Sequence, residues 1–244
     1  MTYCVAIKLN EGLVLASDSR TSAGVDDISV YSKMHVLDAG DDRMLALLSA
    51  GNLATTQAVR AELERELLHR TTTNLSTAET MYEAAAHVGE LSARLQRGYL
   101  GNGDRRGGFN PEATFILAGQ IGGRPPDILL IYPQGNFICA SDDQPFLQIG
   151  ETKYGKPILD RLIQRDTPLD MAARCAMVSM DASMRSNLTV GPPIDLVLYQ
   201  DGSLGIEHRL RFDQNDPFWD AVHAAWAEGL QRALRELPRF DWEG

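Results

Sequence analysis

The chain has 244 residues, of which 44% are hydrophobic and 23% are charged. A chain of this length can bury one sizeable core, and we expect a single layered domain. The formal net charge is −10, so the surface lacks the basic footprint that phosphate binding requires, and nucleic acid is not an expected partner.

Cysteine content and hydropathy indicate a cytoplasmic protein. The three cysteines, Cys4, Cys139 and Cys175, show no pairing pattern, which suits a reducing compartment. No stretch reaches the roughly 18 apolar residues that span a bilayer, and the N-terminus lacks the basic and apolar regions of a secretory leader. We therefore expect no membrane partner. Cys4 lies inside an apolar strand, so we predict a packing role for it.

The first predicted elements are two strands that form a hairpin. Residues 5–7 and 13–15 are apolar, and the turn Asn10-Glu11-Gly12 between them ends in a glycine suited to positive φ. The hairpin brings Asp18, at the end of the second strand, back towards Thr2.

Thr2, Asp18 and Lys33 form a candidate catalytic group. A threonine hydroxyl becomes a useful nucleophile when a base takes its proton, and an N-terminal threonine carries that base as its own α-amine. Thr2 gains this amine if Met1 is removed, and a reference pKa of about 7.7–8.0 leaves a good fraction of it neutral near pH 7. We predict that Lys33 lowers the pKa of the hydroxyl and that Asp18 keeps the lysine charged and oriented.

A second strand pair is predicted next. Residues 34–37 and 44–48 flank the turn Gly40-Asp41-Asp42. Together with the first hairpin they predict a meander of four strands in one sheet.

Two amphipathic helices follow. The first begins after residues 49–52, and its apolar face is formed by Val59, Leu63 and Leu67. Ser76 and Glu79 are predicted to form a capping box for the second. The apolar face of the second helix is formed by Met81, Ala85, Val88, Leu91 and Leu95.

The strands of a second sheet are predicted at residues 114–120, 127–132 and 137–140. Two consecutive helices between two groups of strands give one helical layer over a sheet. The glycine-rich segment 101–111 lacks the lysine followed by serine or threonine of a Walker motif, and we interpret it as a surface loop. ATP is not implied, and we expect no cofactor and no metal ion.

The last part of the chain predicts three more helices and a closing hairpin, and the first of these helices follows residues 148–151. Thr167, followed by a proline, is the predicted N-cap of a helix that reaches Asp181. After the break at Gly191-Pro192-Pro193, residues 194–199 and 204–207 predict the hairpin.

A final helix is predicted after Asp216-Pro217. Its apolar stripe could cover this chain's own core or contact a neighbouring subunit. We assign residues 1–210 to one domain and residues 211–244 to a C-terminal helical extension of that domain. The stripe is formed by Trp219, Val222, Trp226, Leu230 and Leu234.

Several of these segments resemble a known family. Thr2, the run Ala16-Ser17-Asp18-Ser19-Arg20, Gly24 and Lys33 resemble the active-site half of proteasome β-subunits and HslV, which are N-terminal nucleophile hydrolases. The segments TYCVAIKL, ASDSRTSAGVD and KMHVL resemble the bacterial proteasome-related proteins called Anbu more closely than they resemble those two groups. The resemblance extends to about Asp201. It implies an α+β fold of the four-layer α/β/β/α sandwich type.

The resemblance assigns roles to further residues. Gly51 matches the residue whose N–H contributes to the oxyanion hole. Without the resemblance, a glycine that is needed only for the turn is an equally good interpretation of this position. Ser22 to Gly24 match the edge along which an extended peptide substrate adds as a strand.

Glu151 stands where proteasome subunits have a serine that orients the nucleophile. Its carboxylate could accept a hydrogen bond from the α-ammonium of Thr2 and raise the pKa of that group, or Glu151 could be an acid favoured at a helix N-terminus. Asp181 matches a family aspartate near the threonine. Met184 occupies the position of the serine expected three residues later, and we favour Ser186 over Ser183 as its substitute.

The resemblance implies a threonine peptidase or amide hydrolase that acts on a peptide or protein. It also implies self-assembly into a ring or a helical homo-oligomer. Two alternatives remain open: a non-catalytic assembly subunit and an amidase that acts on a small amide. The first is disfavoured because only Met1 precedes Thr2, whereas structural relatives usually begin with an extension.

Overall fold

The structure is a computed structural model, and it describes residues 1–22, 28–69, 72–100 and 110–243. These residues form twelve strands and five helices. In chain order, the strands are β1 (Tyr3–Lys8), β2 (Gly12–Asp18), β3 (Arg20–Ser22), β4 (Ile28–Val30), β5 (Met34–Leu37), β6 (Arg43–Gly51), β7 (Ala113–Ile121), β8 (Asp127–Ile131), β9 (Phe137–Cys139), β10 (Phe146–Gly150), β11 (Ile194–Gln200) and β12 (His208–Phe212). The helices are α1 (Leu53–His69), α2 (Met81–Leu100), α3 (Lys156–Leu162), α4 (Leu169–Ser186) and α5 (Pro217–Arg235).

Ten of these strands form two antiparallel sheets. The first sheet has the order β10-β1-β2-β11-β12, and the second has the order β5-β6-β7-β8-β9. The short strands β3 and β4 pair with each other.

The predicted four-strand meander is wrong. β1 and β2 belong to the first sheet, whereas β5 and β6 belong to the second. The free edge of β2 is covered by β11, from the pair Ile194 and Asp18 to the pair Gln200 and Gly12. The local pattern could not show this because β2 is buried on both faces and its partner lies far away in the chain.

Three apolar layers hold the sheets and helices together. In β1, Tyr3, Val5 and Ile7 pack with residues of α4, while Cys4 and Ala6 pack between the two sheets. On the other side, α1 and α2 pack against the second sheet. Each sheet is therefore covered on both faces, and the predicted four-layer α/β/β/α sandwich is confirmed.

Two of the predicted helix caps are corrected by the structure. Thr80 Oγ1 accepts a hydrogen bond from Glu83 N at 3.1 Å at the start of α2, and Ser76 and Glu79 do not form the capping box. The N-cap position of α4 is Pro168, and the Thr167 hydroxyl instead accepts from Gln164 N at 2.9 Å.

A side chain that is distant in sequence caps the start of α4 in place of Thr167. Leu169 N, at the start of α4, donates to Glu11 Oε2 at 3.0 Å. Glu11 belongs to the turn between β1 and β2, so the first hairpin and α4 are fastened to each other. A contact between residues so far apart in sequence has no local signature.

The C-terminal part agrees with the prediction in one element and differs in another. Asp216 Oδ1 accepts from Phe218 N at 2.9 Å and from Trp219 N at 3.3 Å, so α5 has the predicted N-cap. The second strand of the closing hairpin is β12, which starts later than the predicted residues 204–207. The division at residues 210 and 211 stays a prediction, and those two residues lie within β12. Among the helices that the structure describes, none combines the length and the apolar character needed to cross a membrane.

Candidate active site

The first residues of the chain are held at the end of the first sheet. Glu151 N donates to Thr2 O at 2.7 Å, and Tyr3 lies opposite Gly150 of β10. Gly150 has φ +84°, and a Cβ atom at this position would lie 1.9 Å from Thr2 O. Glycine is therefore required here by its backbone angle and by the close approach of Thr2.

Lys33 is buried beside Thr2, and its ammonium has three oxygen partners. Nζ donates to Asp18 Oδ1 at 2.8 Å, to Arg20 O at 2.6 Å and to Met1 O at 3.4 Å. The lysine is therefore fixed at the start of β1 by one carboxylate and two backbone carbonyls.

Asp18 is fully buried at the end of β2. Besides the lysine, it accepts hydrogen bonds from Tyr3 N at 2.9 Å and from Gly191 N at 3.3 Å. Burial raises the pKa of Asp18 above its ordinary value, and the charge of Lys33 acts against this rise. The lysine is therefore the main group that keeps this carboxyl ionised.

The α-amine of the chain lies in the same electrostatic environment. It belongs to Met1, so the nitrogen of Thr2 is an amide. Burial, and next the charge of Lys33, lower the pKa of the Met1 α-ammonium, while Asp18 and Glu151 act in the opposite direction. The neutral fraction of this amine is therefore larger than that of an ordinary α-amine at the same pH.

A cleft of about 480 Å³ opens beside these groups. Thr2, Lys33 and Gly51 all line it. Gly51 ends β6 with φ +109°, and a Cβ atom there would lie 2.4 Å from Glu112 O, so the turn itself requires glycine. The role of its N–H in an oxyanion hole stays a prediction.

Glu151 is buried next to Thr2 and is held by a residue that the sequence analysis missed. Asn187 Nδ2 donates to Glu151 Oε2 at 2.8 Å, and Lys153 Nζ lies 3.4 Å from Glu151 Oε1. Asn187 Oδ1 in turn accepts from the amide and the hydroxyl of Thr189, at 3.0 and 2.6 Å. Since α3 begins only at Lys156, Glu151 is not the helix N-terminal acid of the alternative interpretation.

Asp181 and Ser186 do not line the cleft. Asp181 Oδ1 is 2.7 Å from His223 Nδ1 of α5, and Ser186 is exposed at the end of α4. Ser183, the other serine considered, donates to Ser179 O at 3.0 Å within the same helix. The structure therefore brings Asn187, rather than one of these residues, to Glu151. The only sequence signal for Asn187 is its position directly after α4.

The predicted substrate edge is described in part. Ser22 ends β3, and Gly24 lies outside the described residues. Thr21, in the same strand, lines the cleft.

The wall of the cleft contains His35 of β5 and Arg60 of α1, which the sequence analysis also missed. Arg60 Nη1 lies 3.3 Å from His35 Nδ1. Arg60 lies outside the apolar face that Val59, Leu63 and Leu67 predict for α1, and no sequence pattern indicates that this part of the helix borders a cleft.

Comparisons with known proteins agree with this arrangement. The family model for the proteasome subunit matches residues 2–198. The proteasome subunit beta 2 of Pyrobaculum calidifontis is 28% identical over 194 residues, which cover 80% of this chain and 86% of that protein. The proteasome subunit beta of Haloquadratum walsbyi is 24% identical over 221 residues, which cover 87% and 79% of the two chains.

Solved structures give a likeness over nearly the full length. Anbu (ancestral beta-subunit) from Yersinia bercovieri is 44% identical with a TM-score of 0.91, and the match covers 98% of this chain and 99% of that one. The helical assembly of the Anbu complex from Pseudomonas aeruginosa is 43% identical with a TM-score of 0.91, and 98% of each chain is covered. Because the family match spans most of the chain, and the likeness to Anbu nearly all of it, this chain belongs to the proteasome subunit family, in its Anbu branch.

Proposed function

We propose that this N-terminal nucleophile hydrolase is a threonine-type peptidase or amide hydrolase, and that Thr2 is its nucleophile after removal of Met1. The observation that carries the proposal is the position of Lys33. Its ammonium is held by Asp18 and by the carbonyls of Met1 and Arg20, in a cleft that Thr2 also lines. A fixed positive charge at this point stabilises the developing alkoxide of Thr2.

The reaction that we propose has two steps. The Thr2 hydroxyl oxygen attacks the amide carbon of the substrate, its proton passes to the α-amine, and the amine then protonates the leaving nitrogen. Water next attacks the resulting ester, so that one amide and one water give one acid and one amine. The N–H of Gly51 is proposed to stabilise the oxyanion in both steps.

The electrostatics of the N-terminus suit an amine that acts as a base. Burial and Lys33 lower the pKa of the α-ammonium at Met1, and we expect the same two effects on the amine of Thr2 once Met1 is gone. Glu151, oriented by Asn187, is then a hydrogen-bond acceptor for the protonated amine. Its carboxylate limits how far that pKa falls.

We propose indirect roles for Asp181 and Ser186, because neither residue lines the cleft. Asp181 connects α4 to α5 through His223, and we propose that this contact positions the end of α4 that carries Asn187. For Ser186, at that same end, we propose a supporting role of the same kind.

We also propose that the substrate is a peptide or protein that adds as a strand along residues 22–24, and that the chain assembles with copies of itself. The relative from Pseudomonas aeruginosa is described as a helical assembly. In this chain α5 has no buried residue among those described, and Phe218, Leu230 and Leu234 are exposed on it. A subunit contact would cover these apolar side chains.

The test is the intact mass of the purified protein before and after exposure to a peptide epoxyketone, with Thr2→Ala as the control. We expect the mass without Met1 and one adduct that is absent from the control. Lys33→Met should slow adduct formation by at least about 100-fold, as expected for a residue that activates the nucleophile. A retained Met1 together with no adduct would overturn the proposal and favour the non-catalytic assembly subunit. Hydrolysis of small amides but of no peptide would favour the amidase.

A further inference from the structure

We propose that the cleft beside Thr2 selects substrates with a carboxylate side chain at the residue preceding the bond that is cut, and that Arg60 recognises this carboxylate. The inference deepens the proposed function by naming the substrate class, and it rests on Thr2 being the attacking residue.

The first observation is the charge of the cleft wall. Among its described lining residues are two cationic side chains, Lys33 and Arg60, and no carboxylate. Lys33 is already bonded to Asp18 and to two backbone carbonyls. Arg60 is therefore the cation of this wall that is available to a ligand, although the chain as a whole carries a net charge of −10.

The second observation is that the guanidinium of Arg60 is incompletely bonded. Its Nε atom is buried and has no hydrogen-bond partner within the described part of the chain. Glu64 Oε1, on the next turn of α1, forms a partly exposed ion pair with Nε at 3.6 Å, a distance that is too long for a hydrogen bond. A buried donor without a partner is unfavourable, so a ligand that accepts from it gains free energy.

The third observation is the way in which His35 orients the arginine without neutralising it. Burial, and next the charge of Arg60, lower the pKa of His35, so its neutral form is favoured. Arginine only donates hydrogen bonds, so His35 Nδ1 must accept from Arg60 Nη1, and the imidazole proton lies on Nε2. The contact fixes one end of the guanidinium and adds no negative charge to it.

These features match one ligand chemistry. A planar carboxylate can accept two parallel hydrogen bonds from a guanidinium, and such charge-assisted pairs are stronger than neutral ones. The remaining side chains of the wall are uncharged: Tyr31, Ser32, Thr56 and Gln57 are polar, whereas Met1, Ala50 and Leu53 are apolar. An aspartate or glutamate side chain therefore fits this cleft better than a lysine side chain, which would meet two cations.

The first test measures binding without catalysis. Tripeptides that carry a neutral fluorophore at the N-terminus and end in Glu, Gln or Lys as the C-terminal amide are titrated into Thr2→Ala protein by fluorescence anisotropy. We expect the Glu peptide to bind at least about tenfold more tightly than the Gln peptide and the Lys peptide to bind most weakly. A fourth peptide, with Gln and a free C-terminal carboxylate, distinguishes a side-chain carboxylate from a chain end.

The matched variants assign the preference to Arg60. Arg60→Gln should remove the difference between the Glu and Gln peptides, and Arg60→Lys should retain part of it. Arg65→Gln, which alters an exposed arginine on the same helix that pairs with Glu62, should leave the difference unchanged. Any of four results would overturn the inference. The Glu and Gln peptides could bind equally, the Glu peptide could fail to bind detectably, or the peptide with the chain-end carboxylate could bind more tightly. The fourth is a preference for Glu that survives in Arg60→Gln.

The second test separates this inference from the proposed function. Epoxyketones with Glu or Gln at the same position are reacted with the protein from which Met1 is absent, and the rate of the Thr2 adduct is measured. A faster adduct with Glu supports both statements, and equal rates refute the carboxylate preference while leaving the nucleophile in place. No adduct with either compound, together with tight binding of the Glu peptide in the first test, refutes the catalytic role of Thr2 and leaves the recognition by Arg60 in place.

Discussion

Replacing Lys33 with methionine tests how the buried charges at the start of β1 support the fold. The Lys33 and Asp18 side chains are 8% and 0% exposed, so the pair is shielded from water. Removing one partner of a buried ion pair costs about 3–5 kcal/mol, because the remaining charge is uncompensated. We expect a loss of this size in the free energy of unfolding at pH 8.

The loss should depend on pH in a defined direction. Burial raises the pKa of Asp18, and in the variant Lys33 no longer opposes this rise. The folded carboxyl then has a pKa above that of the unfolded chain, about 3.9, so the folded state binds the proton more tightly. The variant should be most stable at acidic pH and should lose about 1.4 kcal/mol for each pH unit between the unfolded and folded pKa values of Asp18.

The assay is urea denaturation of wild type and variant at pH 5 and pH 8, at one fixed protein concentration so that assembly does not alter the comparison. The destabilisation by Lys33→Met should be smaller at pH 5 than at pH 8. Adding Asp18→Asn to the variant should recover part of the loss at pH 8, because it removes the unpaired charge. Equal destabilisation at both pH values, with no recovery in the double variant, would refute the account of a buried charge that the lysine compensates.

Three further outcomes are expected. Gly150→Ala places a Cβ against Thr2 O at a φ of +84°. It should lower the unfolding free energy by about 1–3 kcal/mol and, by displacing Thr2, abolish the adduct. An unchanged adduct rate would show that the site tolerates this displacement of Thr2. Glu151→Gln removes a charge that raises the pKa of the Met1 α-ammonium, and we expect this charge to act in the same direction on the Thr2 amine once Met1 is removed. Because the proposed adduct rate increases as that amine loses its proton, it should rise at a lower pH than in wild type; a profile that is unshifted or shifted upward contradicts this. His223→Ala breaks the contact with Asp181 and should increase hydrogen exchange in α5, with a loss of about 1 kcal/mol; unaltered exchange in α5 would mean that other contacts hold the helix.

Much of the layered fold could be predicted because its signals are local. The apolar faces of α1 and α2 recur at helical spacing, and Val59, Leu63, Met81, Ala85 and Val88 are all buried against the second sheet. The cap of α5 is also local, since Asp216 bonds to amides two and three residues away. Such patterns depend only on the geometry of one element, so the order of residues contains them.

The residues around Thr2 were partly predictable for a different reason. Thr2, Asp18 and Lys33 lie in one segment at the start of the chain, and a resemblance over that segment could relate them. Glu151 was found by the same resemblance. Asn187 was not, because its contact with Glu151 joins residues 36 positions apart, and an asparagine after a helix has many other uses.

Local sequence patterns are sufficient to predict the helices, most strands and the grouping of Thr2 with Lys33. The pairing of β2 with β11, the hydrogen bond by which Glu11 caps α4, and the position of Arg60 at the cleft beside Thr2 are visible only in the folded chain. Each of these features joins segments that are distant in the chain. Hydrophobic periodicity predicts which face of an element is buried. Which neighbouring element covers that face depends on how all the layers pack together.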